Sequence, residues 1–449
     1  MRTILAASAL ALACSAALAQ PHLPVSGSVN GTLIRHGHVY TVGAAGTLPD
    51  GDVLIQNGKI VQVGANLAVP PETKVIDARG KPVTPGLMAA YTQLGIIEVE
   101  LVAESNDTGP GEDLSAHDAD ATASPTLDQR IASAAFDVTD AINPTSTLIP
   151  IARLGGVTRA LSAPTAGAGV FHGHGALINL GRSADLVDKP KAAMLVNLEP
   201  GNGTSRPLIW AEFREMLDNA REYLAQRAGY HRPGGARDQR TARIDLDALE
   251  PVIHGREPLV VRADRASDIR QAVRYCQDNK LRLIILGGGE AWRIAGELAQ
   301  AKVPVIVDAE QNLPGSFSTI GATRANAARL DAAGVTVLFQ PQSDEPGHYA
   351  RTLAQIAGNA VANGMKWDHA LAAITRNPAQ VFGLADRYGT LEAGKDADVV
   401  IWDGDPLEVT SAPSAIFIKG ERMPMTSRQT ELRDRYRDLA KKNPALGYR

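Results

Sequence analysis

Short apolar runs alternate with helical patterns through the middle of the chain. The runs at 156–162, 193–198, 259–263, 281–286, 303–307 and 335–340 are rich in Val, Ile, Leu and Ala, as in strands buried on both faces of a parallel sheet. Between them the period changes. Ile209, Phe213, Met216, Leu217, Ala220 and Leu224 fall along one helical stripe behind Pro207, a residue suited to a first helical turn. Ile269, Ala272, Val273 and Cys276 repeat the spacing, as do Trp367, Ala370, Leu371 and Ile374. Alternation over this length predicts an α/β domain and favours a parallel barrel over an open sheet, although periodicity alone does not close it.

Both ends of that region read differently. Short strands separated by turns are predicted at 32–36, 53–56, 59–63 and 74–77, with Asn57-Gly58 as a hairpin signal. Such hairpins do not bury themselves alone. Similar runs at 398–402 and 415–419 are the expected partners, giving one small β-sandwich built from both termini. The expected division is 28–84 plus 388–425 for the sandwich, 85–387 for the main domain and 426–449 for a polar helical tail. Two segments break the alternation: an acidic, small-residue loop at 104–128 and a Gly/Arg-rich linker at 227–243.

Length agrees with a large domain plus a smaller companion, since 449 residues exceed one compact core. The composition is that of an ordinary globular protein, and a net charge of −4 gives no basic footprint for nucleic acid. Residues 1–19 read as a secretory signal: Met1-Arg2, an apolar stretch from Ile4 to Leu18, then Ala17-Leu18-Ala19 before Gln20. The expected location is therefore periplasmic or secreted, with no membrane span in the mature chain. Lipidation at Cys14 fits the flanking residues less well. After cleavage only Cys276 remains, which excludes an intramolecular disulfide and reads as a small core residue.

Two distant stretches carry the most specific signal. The first is Pro82-Val83-Thr84-Pro85-Gly86-Leu87-Met88-Ala89-Ala90-Tyr91-Thr92-Gln93-Leu94-Gly95. The second comprises Ile374-Thr375-Arg376-Asn377-Pro378-Ala379 and Gly389-Thr390-Leu391-Glu392-Ala393-Gly394-Lys395-Asp396-Ala397-Asp398-Val399-Val400. Together they resemble the metal-dependent amidohydrolase superfamily, the imidazolonepropionase-like hydrolases in particular. The resemblance covers roughly 31–420 and implies a (β/α)8 TIM barrel with a composite β-sandwich. It also implies hydrolysis of non-peptide C–N bonds by a metal-activated water.

The positions that would hold the metal carry other residues. Where the resemblance implies two first-strand histidines stand Tyr91 and Gln93. Arg262 and Gly287 replace histidines of two later strands. The expected aspartate after the last strand becomes Gln340-Pro341-Gln342, with Asp344 two residues later. Arginine repels a divalent cation, and tyrosine and glutamine are poor ligands for one. The expectation is accordingly a pseudoenzyme without a resident cofactor, acting as a ligand-binding protein or as the partner of an active relative. Small anionic or amide-containing ligands would meet Tyr91, Gln93, Arg262, Gln342 and an anion nest at Gly287, Gly288 and Gly289. The competing reading pairs Arg262 with Asp264 or Glu290. A hydrolase alternative uses Tyr91, Arg262, Asp344 and Glu199, or a zinc displaced to His172 and His174 with Glu199. His172-Gly173-His174 reads more simply as a glycine-rich loop, His36 and His38 as an exposed strand face, and His117 with Asp118 and Asp120 as a solvated loop.

Overall fold

The computed structural model describes residues 31–109, 133–167, 169–201, 204–227, 241–341 and 345–437. The segment 1–19 read as a secretory signal, His117, Asp118, Asp120, Gln342, Asp344 and the end of the tail lie outside the described residues.

The terminal segments meet in one eight-stranded sheet. β1 (Thr32–Tyr40), β2 (Thr47–Gln56), β3 (Lys59–Gly64), β4 (Lys74–Asp77) and β5 (Pro82–Pro85) come from the N-terminal side. Asn57 and Gly58 join β2 to β3 with φ of 51° and 77°, the left-handed pair that a tight hairpin needs. β5 then separates from the barrel that follows and pairs antiparallel with a strand from the far end, Val399 opposite Pro85 and Ile401 opposite Val83. Ile34, Val53, Ile60 and Val83 pack with Val399, Ile401 and Phe417 in one cluster, so neither terminal segment completes this core alone.

The chain next forms a second eight-stranded sheet. Its strands are β6 (Leu87–Thr92), β7 (Val157–Ser162), β8 (Phe171–Asn179), β9 (Val187–Asn197), β10 (Leu259–Ala263), β11 (Leu283–Gly287), β12 (Val305–Val307) and β13 (Val337–Phe339). They are ordered β6 to β13 around the sheet, and β13 returns against β6, so the sheet curls to near closure. Helices at Arg206–Gln226 and Ala266–Asp278 turn their stripes inward, burying Ile209, Phe213 and Leu217 in one and Ile269, Ala272 and Cys276 in the other. Burial pushes the Cys276 thiol up to about 12, in keeping with a core residue. β14 (Val399–Trp402), β15 (Pro413–Ile418) and β16 (Glu421–Arg422) then return to the first sheet. This is the (β/α)8 barrel with an additional β domain.

The barrel departs from a uniform parallel alternation at one place. β8 runs antiparallel to both β7 and β9, so the histidine-containing stretch is a strand where a loop was expected. Its glycines hide the pattern: Gly173 has φ of 107°, and the pairing register shifts on either side of it.

Among the described residues, no helix is long and apolar enough to cross a membrane. The segment at 103–105 forms a single 3-10 turn.

A candidate binding site at the barrel mouth

Parallel strands of a barrel converge their carboxyl ends on one face. There Tyr91 near the end of β6, Gln93 just after it, and Arg262 on β10 line an open cleft. Thr165, Asn106, Thr108, Glu100, Glu345 and His348 complete much of its wall. The loops ending at Thr108 and beginning at Glu345 bring their polar residues over the mouth. Asn106 accepts a hydrogen bond from the Thr108 hydroxyl at 2.6 Å, and His348 Nε2 meets the Glu98 carbonyl at 3.1 Å.

The cleft is rich in polar groups that the fold does not consume. Gln93 is 3% exposed, and its Nε2 makes no well-formed hydrogen bond among the described residues, its one link being a weak one to the neighbouring Tyr91 hydroxyl. Tyr91 is equally buried and donates a long 3.4 Å bond to the Pro164 carbonyl, with the Gln93 side chain as a second, weak partner. Burial raises its phenol pKa against the opposing pull of Arg262 and the nearby Gln93 amide, so it stays a neutral hydrogen-bonding group. Arg262 makes no ion pair with any described residue, although its charge reaches Tyr91, His172 and Asp264.

Asp264 explains where the expected anion nest went. Its carboxylate accepts the Gly289 amide at 2.9 Å, and a Cβ on Gly287 would stand 2.7 Å from its Oδ1. The glycines therefore cradle a side chain of the protein instead of presenting their amides to a ligand beside Arg262. Burial, reinforced by Glu199 and Glu290 against the Gly289 bond and Arg262, raises the Asp264 carboxyl to about 6. Glu199 is also committed. One oxygen accepts the Asp264 amide at 2.7 Å and the other lies 3.4 Å from Arg206, so it braces the turn after β10 and is not offered as a free base or metal ligand.

His172 and His174 do not come together. His172 bonds the Thr165 backbone, and burial together with Arg262 lowers its pKa to about 4. His174 is fully buried and holds Glu257 at 2.8 Å through Nδ1. Arg262 and Glu257 lie toward opposite ends of β10, on the order of 15 Å apart along a strand. The two rings thus serve different ends of the barrel. Among the described residues, no three His, Cys, Asp or Glu side chains are grouped to hold a metal ion. Gly287 contributes no donor, Gln93 turns an amide and Tyr91 a neutral phenol toward the cleft, and Arg262 adds a fixed positive charge. That donor set does not fit a divalent cation at the strand ends.

Sequence reasoning did not single out Glu100, Glu345 or His348. The acidic pair has a readable signal, since each sits in the loop that follows the carboxyl end of a barrel strand.

Comparison with known proteins places these features in context. The Amidohydrolase family profile matches residues 293–427. The chain is 23% identical over 406 residues to the amidohydrolase tasK of Hapsidospora irregularis, covering 82% of this chain and 39% of tasK. It is 34% identical over 111 residues to an imidazolonepropionase of Mesorhizobium japonicum, covering 24% of this chain and 26% of that protein. These matches thus span well under half the length of either relative. Among solved structures, an amidohydrolase from Thermotoga maritima is similar across 88% of this chain and 99% of that one, with 25% identity and a TM-score of 0.74.

Proposed function

The chain belongs to the amidohydrolase superfamily, and from that premise we propose that its barrel mouth binds small carboxylates where relatives would hold a metal. The protein would act as a non-catalytic ligand-binding subunit, exported by its N-terminal segment and able to partner an active amidohydrolase. One observation carries this reading: Arg262 lines the cleft without an ion-pair partner among the described residues. A half-buried guanidinium without an ion-pair partner favours an anion, and its planar fork matches a carboxylate. The buried Gln93 amide nitrogen and the Tyr91 hydroxyl offer the neighbouring hydrogen bonds.

Calorimetry against acetate, pentanoate and N-acyl amino acids tests the proposal. Binding by the parent and its loss in Arg262→Ala, with melting temperature preserved, is the expected result. An unchanged response from Arg262→Ala would defeat it. Elemental analysis should find far less than one equivalent of zinc, manganese or iron in protein purified without chelators.

Hydrolysis of a non-peptide C–N bond, through a displaced metal or a metal-free site, is the second reading. The Asp264 carboxyl favours it, because at about 6 it titrates near neutrality beside the mouth. Turnover of an amide or cyclic imide that disappears in Asp264→Asn, while carboxylate binding persists, would select this reading over the first.

A further inference from the structure

From the charges across the cleft, we infer that the mouth selects dipolar ligands, carrying a carboxylate and a separate ammonium or guanidinium group. This inference rests on the carboxylate reading above and narrows it. Arg262 faces the same cleft as Glu100 and Glu345. None of the three forms an ion pair with a described residue. The cleft therefore holds opposite charges that are not neutralised by one another at contact distance.

A simple anion satisfies Arg262 but adds repulsion with the two glutamates. A dicarboxylate doubles that repulsion. A dipolar ligand answers both ends: its carboxylate meets Arg262 and the weakly held Gln93 Nε2, and its cationic end meets Glu345 or Glu100. Gln93 is a second pointer to a ligand, being buried with only a weak link to Tyr91 for an amide that can donate two hydrogen bonds.

The test uses the full-length protein and calorimetry with short ω-amino acids from glycine to 6-aminohexanoate. Each is paired with its unaminated carboxylate, and succinate is the double anion. At least one amino acid is expected to bind about tenfold more tightly than its unaminated counterpart, with succinate weaker than both. In the double variant Glu100→Gln/Glu345→Gln that advantage should vanish, the plain carboxylate binding at least as tightly as to the parent because the repulsion is removed. Arg262→Ala should lose both ligands, with melting curves reporting that each variant folds. If no amino acid exceeds its unaminated partner, the dipolar inference falls and carboxylate binding stands. If the parent binds neither kind, both fall. An advantage that survives the double variant would also overturn the inference.

Discussion

Two arginines of the same barrel show how one residue type serves opposite ends. Arg159 on β7 is 1% exposed and surrounded by acceptors. Its Nε donates to Asp398 at 2.9 Å, Nη2 to Asp396 at 2.9 Å, and Nη1 to Asp188, while Tyr388 packs its ring 4.8 Å from the guanidinium carbon. Burial works against its charge, but the carboxylates of Asp398 and Asp188 hold it firmly protonated. Arg262 on β10 is partly open, lines a cleft, and has no such set. A charge matched on every side fastens the barrel to the β domain, whereas an unmatched charge at a mouth is available to something else.

The comparison can be broken most severely from the β-domain side. Deleting residues 398–420 removes Asp398 from Arg159 and also removes β14 and β15. Val83, Ile34 and Ile60 would then face solvent. The truncated protein should be insoluble or unfold well below the parent's melting temperature. A soluble variant melting with the parent would mean the two termini do not stabilise each other.

Arg159→Ala tests the cluster alone. It leaves Asp188, Asp396 and Asp398 buried with fewer cations, though Lys59, Arg387 and Lys419 still reach two of them. Breaking a buried ionic network by removing one partner costs about 3–5 kcal/mol. Arg159→Lys should recover only part, because one ammonium does not span three carboxylates as a guanidinium fork does. Urea denaturation measures both. A loss below about 1 kcal/mol would show that the network is not decisive for stability.

Arg262→Ala should behave oppositely, abolishing carboxylate binding while changing stability by about 1 kcal/mol or less. Thermal melting without ligand reads this directly. A loss as large as that of Arg159→Ala would reveal a hidden structural partner and erase the distinction.

Much of the fold is legible in the amino-acid order. Continuous apolar runs mark β10 to β13 because a strand covered on both faces needs no polar alternation. The Asn57-Gly58 turn is local chemistry and is equally visible. β8 is not, because Gly173 and Gly175 interrupt its apolar run, and its burial depends on the neighbouring segment around Phe136. At the site, the identity of Tyr91, Gln93 and Arg262 at strand ends can be read, since a strand's direction fixes which end faces the mouth. The commitments of Gly289 to Asp264 and of His174 to Glu257 cannot. Those pairs span 25 and 83 residues, and no local period encodes a side-chain contact across loops.

The smallest net effect in the parent is a pH dependence in which two neighbours of Arg262 oppose each other. The Asp264 carboxyl is raised from 3.8 to about 6, chiefly by burial. Folded protein therefore holds that proton more tightly than unfolded chain, and its contribution to stability is present at low pH and is lost as pH rises through about 6. His172 is lowered from 6.5 to about 4, by burial and then by Arg262. The unfolded chain binds that proton first, so stability is lost as pH falls from 6.5 toward about 4. Each effect amounts to about 3 kcal/mol at most, and over the same window the two slopes nearly cancel. Asp264→Asn should expose the histidine slope, so that stability rises from pH 4 to pH 6.5 more steeply than in the parent. Adding Arg262→Ala should flatten that slope, because removing the positive charge lets the His172 pKa climb back toward its ordinary value. Denaturant titrations across this range, with the His172 ring followed by NMR, provide the measurement. An unmoved His172 titration in Arg262→Ala would mean that the guanidinium does not govern the electrostatics of the mouth.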